Sequence, residues 1–129
     1  MGFEILEQGS VKQGYKIFYC TDGIKHLIEA SMTMLKPDIW FFNRLLVSPE
    51  TRGIGIGTVL TNKAVDFCKE NNVSLICGVN PYNTYDDMDT ARLKKFYIKN
   101  GFVETPTEGI VILPRNGASA TDELKSIGA

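Results

Sequence analysis

The apolar positions along the chain follow two periods. Tyr15 to Cys20 is rich in aromatic and β-branched residues and runs into Asp22-Gly23, a hairpin turn signal. Leu27 to Leu35 fits neither period cleanly. Its place between that turn and Lys36-Pro37-Asp38 favours a strand. Ile39 to Val47 is the strongest strand. Trp40, Phe41, Phe42, Leu45, Leu46 and Val47 leave little polar break, as in a central strand covered on both faces. From Gly55 to Asn71 the period changes. Ile56, Val59, Leu60, Ala64, Phe67 and Cys68 recur at helical spacing, with Lys63, Asp66, Lys69 and Glu70 opposite. Val73 to Val79 is a second buried strand. A strand, a helix and a strand with short joints predict a right-handed crossover and two neighbouring parallel strands.

The ends of the chain read less strongly. Residues 3 to 8 suggest a short first strand. Asn80 to Asp89 reads as a polar, aromatic loop. Thr90 begins a second helix, with Leu93, Phe96 and Tyr97 on one face and Asn100-Gly101 as its C-cap. Phe102 to Thr105 and Gly109 to Leu113 predict a closing hairpin. The expected architecture is one α/β domain over residues 1–113. After Pro114 the composition turns small and polar, so residues 114–129 are expected to be a mobile tail or a loosely docked short helix.

Composition narrows the function classes. A formal net charge of −1 over 129 residues offers no basic field for nucleic acid or an anionic membrane. Cys20, Cys68 and Cys77 are odd in number and lack C-x-x-C spacing. Free buried thiols and a reducing, cytoplasmic setting are therefore expected. The N-terminus carries neither the basic nor the apolar region of a signal peptide. One histidine and scattered cysteines predict no metal site.

The candidate chemistry lies where the strand Leu45-Leu46-Val47 passes through Ser48-Pro49 and Arg52-Gly53-Ile54-Gly55-Ile56-Gly57-Thr58 into a helix. Glycines admit a close backbone approach, and a helix start presents unpaired N–H groups and partial positive charge. Together they form a socket for phosphate. A dinucleotide fingerprint fails here, because its third glycine position holds Thr58 and the next strand ends in Val79-Asn80 without an acidic residue. A Walker A loop fails for want of a Gly-Lys dipeptide.

What remains, Arg52-x-x-Gly55-x-Gly57 behind Leu46-Val47-Ser48-Pro49, resembles the GCN5-related N-acetyltransferase (GNAT) superfamily and its Q/R-x-x-G-x-G/A motif. Downstream, Leu93 to Phe102 is similar to the family's late helix with its F/L-Y-x-x-x-G-F ending. The resemblance covers residues 39–105 well and the N-terminal third poorly, where the family's usual two-helix segment has almost no room. It implies the GNAT fold, a mixed, mostly antiparallel sheet with acetyl-CoA between two splayed parallel strands. Leu45, Leu46 and Val47 would pair with the pantetheine arm. Arg52, Gly53, Ile54, Gly55, Ile56, Gly57 and Thr58 would surround the pyrophosphate. Tyr97 matches the general acid that protonates the leaving thiolate.

The implied reaction is direct acetyl transfer to an amine, on a small molecule, an N-terminus or a lysine. The alternative is a degenerate module that binds acyl-CoA without catalysis. The base stays open between Glu29, Asp86, Asp87, a water chain and an amine already deprotonated in solution, with His26 read as a surface residue. The thin N-terminal cover suggests exposure of the Trp40–Phe42 strand and a homodimer.

Overall fold

The computed structural model describes residues 4–24, 26–47, 55–78 and 90–127. The strands are β1 (Glu4–Ser10), β2 (Tyr15–Thr21), β3 (His26–Lys36), β4 (Ile39–Val47), β5 (Ser74–Gly78), β6 (Val103–Glu104) and β7 (Ile110–Leu113). The helices are α1 (Ile56–Glu70), α2 (Thr90–Lys99) and α3 (Ala120–Ser126). The strands form one sheet in the order β1-β2-β3-β4-β5-β7-β6. Only β4 and β5 run parallel; every other neighbouring pair is antiparallel. The strand–helix–strand crossover read from the sequence is thus the one parallel pair in the sheet.

Residue alternation assigns the two faces. Phe18, Cys20, Ile28, Ala30, Met32, Trp40, Phe42, Leu75, Cys77, Val111 and Leu113 bury one face against α1 and α2. Ile39, Ile76 and Ile112 bury part of the other against Leu124 of α3. Trp40 stacks edge-on to Phe67 of α1, with ring centroids 5.3 Å apart. The expected exposure around Trp40–Phe42 is therefore corrected. Trp40 and Phe42 are fully buried beneath the helices, and Phe41 on the opposite face is half-buried. Helix α1 also differs from its expected stripe. Val59 is exposed, whereas Thr61 and Val65 turn inward. Thr61 can do so because its hydroxyl donates to the Gly57 carbonyl at 2.8 Å.

The residues after Pro114 are anchored through a buried carboxylate. Glu123 accepts from the Ser74 hydroxyl at 2.6 Å and from the Arg115 guanidinium through two bonds of 3.3 Å. The Arg115 N–H in turn donates to the Ser74 hydroxyl at 2.9 Å, and its guanidinium also meets Asp38 at 3.3 Å. Ser119 caps α3 by accepting from the Asp122 N–H at 3.1 Å. This network ties α3 to the starting ends of β4 and β5. Leu124 is the helix's deepest apolar anchor. Leu124→Ala is expected to cost about 2–5 kcal/mol, the usual range for such a truncation. The loss should register as a lower Tm and as faster amide exchange over residues 120–126.

Candidate active site

The site is built around a local irregularity in β4. Met32 pairs with Phe42 while Ser31 pairs with Arg44, so Asn43 is an extra residue on β4. The Asn43 side-chain amide donates to the Thr33 hydroxyl at 2.6 Å, which holds the irregularity in place. A bulge bends its strand and increases the local twist. On the other edge of β4 the parallel ladder with β5 runs, among the described residues, from Ile39↔Ser74 to Phe42↔Cys77. Leu45, Leu46 and Val47 pair with Ala30, Glu29 and Ile28 of β3, and Gly78 pairs with Ile110 of β7. Beyond Phe42 and Cys77 the two parallel strands are each held by their other neighbour.

Tyr97 stands at the head of this split. It is fully buried, with its ring edge-on to Phe42 at 5.9 Å, to Phe96 at 5.4 Å and to Phe102 at 5.4 Å. Phe102 is brought there by the end of α2. Gly101 adopts φ +104, and the Phe102 N–H donates back to the Tyr97 carbonyl at 3.1 Å. This is the turn that a left-handed C-cap permits, and glycine adopts it at least cost. The Tyr97 hydroxyl lies beside the Cys77 thiol and interacts with it, but no partner of good geometry satisfies it among the described residues. Burial first, and Cys77 second, push this phenol well above the usual tyrosine range. Burial pushes the Cys77 thiol up to about 12, against a smaller opposing effect of Tyr97. Both groups therefore hold their protons at neutral pH.

The glycine stretch reaches the described residues at Gly55. Gly55 is the N-cap of α1 with φ +81, no side chain caps the helix, and its first turn carries no acidic residue. A Cβ at Gly55 would meet nothing within 4 Å, so the backbone angle and not crowding explains the glycine. The first helical bond runs from the Val59 N–H to the Gly55 carbonyl at 3.2 Å. The N–H groups of Ile56, Gly57 and Thr58 precede it and have no partner within the helix. Arg52, Gly53 and Ile54 lie outside the described residues, as do Asp86 and Asp87. The structure thus brings Tyr97, Phe42 and Cys77 together at the split, with Leu45–Val47 on its β4 side. The irregularity at Asn43, next to the last parallel pair, has no counterpart in the hydrophobic pattern.

A separate cleft of about 390 Å³ lies between β1, β2 and the C-terminal half of α1. Its Lys16 is bonded to Glu7 at 2.6 Å and to the Gly9 carbonyl at 3.2 Å, and Phe42, Gly55, Cys77 and Tyr97 do not line it. Among the described residues no group of three or more metal-ligating side chains comes together, and no helix is long and apolar enough to cross a membrane.

Comparison with known proteins agrees with this fold. The model of the acetyltransferase (GNAT) domain matches residues 5–104. No curated protein sequence matches the chain. The ribosomal-protein-S18-alanine N-acetyltransferase from Escherichia coli superposes with a TM-score of 0.64 at 24% identity, over 88% of this chain and 75% of that one. The protein yncA from Salmonella typhimurium, solved with its cofactor acetyl-CoA, gives 0.61 at 16% identity, over 83% and 68%. A GNAT family acetyltransferase from Elizabethkingia anophelis with acetyl-CoA bound gives 0.59 at 12% identity, over 86% and 95%. At these identities the likeness is one of fold.

Proposed function

The chain belongs to the GNAT acetyltransferase family, and on that premise we propose that it transfers an acetyl group from acetyl-CoA directly to a primary amine. The observation that carries this reading is the buried Tyr97 hydroxyl, unsatisfied among the described residues, next to the last parallel pair of β4 and β5. Buried hydroxyls are normally bonded, and an exception calls for a partner that arrives later. The donor's sulfur is such a partner.

The residues present fit the donor. The uncapped start of α1 at Gly55 suits a pyrophosphate, because N–H groups and partial positive charge converge there. The segment Leu45–Val47, which leaves β5 after Phe42, suits an extended arm that pairs as an added strand. Acetyl-CoA supplies an activated acyl carbon and a thiolate leaving group. Tyr97 retains its proton and is placed to give it to that sulfur. Phe42, Phe96 and Phe102 around its ring keep water from competing. Cys77 supports direct transfer over a covalent acyl-enzyme. The nucleophile of such a route is a thiolate, and Cys77 is held as a buried thiol with its pKa pushed up to about 12.

Release of free coenzyme A tests the proposal. The chain is expected to release it from acetyl-CoA in the presence of members of a broad panel of primary amines, and not in their absence. Tight binding of acetyl-CoA with no release on any amine would support the binding-module alternative instead.

A further inference from the structure

We propose that Glu29 is the carboxylate that receives the acceptor ammonium and removes its proton before attack. This rests on the acetyltransferase reading above and names the base that reading lacks. Three observations place Glu29. First, its Cα is paired across the ladder with Leu46, in the segment left free by the split. Cα atoms of such pairs lie about 4.5–5.5 Å apart, so the carboxylate belongs to the strand beside the reacting carbonyl. Second, Glu29 lies between Ile28 and Ala30, which point into the α1 face, so it projects from the opposite face and is half-buried there beside Tyr19. Tyr97 packs on the α1 face. The two proton carriers thus flank the sheet at the split, one on each side. Third, among the described elements that surround the split, β3, β4, β5, β7 and α2, Glu29 is the one carboxylate, Asp86 and Asp87 lying outside the described residues.

The face that carries Glu29 can be reached. Among the described residues α1 and α2 pack on the other face, and the α3 cluster on this one gathers Ile39, Phe41, Ile76, Ile110 and Ile112, without Glu29. Ser31, Phe41 and Asn43 beside Glu29 are half-buried, and Thr33 is exposed. An amine entering here meets a carboxylate before it meets the acyl carbon, which selects for a cationic acceptor.

The protons balance. An ammonium nitrogen carries three protons and the product amide carries one. One proton goes to Glu29 and on to solvent as H⁺. The neutral nitrogen then forms the C–N bond as the C–S bond breaks. Its second proton is lost to solvent or to the regenerating Tyr97, and Tyr97 gives the sulfur the proton that completes free coenzyme A.

The test is Glu29→Gln, read in kcat against pH with saturating acetyl-CoA and an acetylated amine from the panel. Loss of a positioned base costs about 10²-fold at the low end of the usual range, and that loss is expected near neutral pH. The deficit should shrink as pH climbs toward the amine's own pKa, about 10.4 for a lysine-type amine, because solution then supplies the neutral nucleophile. A structural role would leave a deficit that does not vary with pH. Affinity for acetyl-CoA should stay at the wild-type value, and Glu29→Asp should recover part of the rate. His26→Asn, on the same strand, is the control and should retain the wild-type profile. Wild-type rates and profile in Glu29→Gln, or a pH-independent deficit, overturn the assignment alone. A wild-type chain that binds acetyl-CoA but acetylates no amine overturns the acetyltransferase reading, and the base with it.

Discussion

Tyr97→Phe is expected to lower kcat by roughly 10²–10⁴-fold, the usual worth of a positioned proton donor, without lowering stability. The two halves of this expectation come from one atom. The Tyr97 oxygen is buried and lacks a partner of good geometry. Leaving such a group unsatisfied costs about 1–3 kcal/mol, so removing it recovers part of that cost. The phenylalanine ring keeps the edge-on contacts with Phe42, Phe96 and Phe102, and no cavity larger than a hydroxyl results. A variant that melts at or above the wild-type temperature and turns over far more slowly would identify the hydroxyl as retained for chemistry. A variant with unchanged kcat would make Tyr97 a packing residue, and its orphaned hydroxyl would then need another explanation. Affinity for acetyl-CoA should change little, because the hydroxyl's contribution is made as the C–S bond breaks.

What the sequence reveals about this fold follows from how local each signal is. β4 and β5 are legible because they are near-continuous apolar runs, and α1 and α2 because their apolar residues repeat at the helix period. β3 is ambiguous for a physical reason. Its register shifts between Cys20 and Thr21 and again between Ser31 and Met32, so Leu27 and Ile28 are both buried and the simple alternation breaks. Ala30 belongs to the buried set but is too small to stand out as an apolar signal. β1 reads faintly because it is an edge strand with most residues exposed, and exposure leaves no period. The firm docking of α3 was not legible at all. It depends on Ser74 and Glu123, which lie far apart in sequence, and no local pattern encodes their meeting. The site divides in the same way. Gly55 and Tyr97 announce themselves by spacing within motifs. Glu29 is one acidic residue among many until the β3–β4 register places it opposite Leu46.

Gly55→Asp is expected to weaken acetyl-CoA binding by about 10- to 100-fold relative to Gly55→Asn, with the two variants equally stable. The comparison isolates charge. Gly55 needs φ +81, a region that Asn and Asp enter more readily than other side-chain-bearing residues. Both are also favourable N-caps, so either should hold the start of α1 at a similar, small cost. A Cβ at this position meets nothing within 4 Å, so crowding by the protein does not separate them either. The remaining difference is one negative charge at the helix start. Two unit charges 4 Å apart interact by about 1 kcal/mol in bulk water and about 4 kcal/mol near a protein surface. The expected loss of affinity lies within that interval. Added salt should narrow the gap, since the screening length falls from about 10 Å at 0.1 M to about 3 Å at 1 M. Calorimetric titration of both variants with acetyl-CoA, at low and high salt, reads the difference directly. Equal affinities, or a gap indifferent to salt, would remove the pyrophosphate from the start of α1. Tyr97 and the split at Phe42 and Cys77 would then have to position the donor without it.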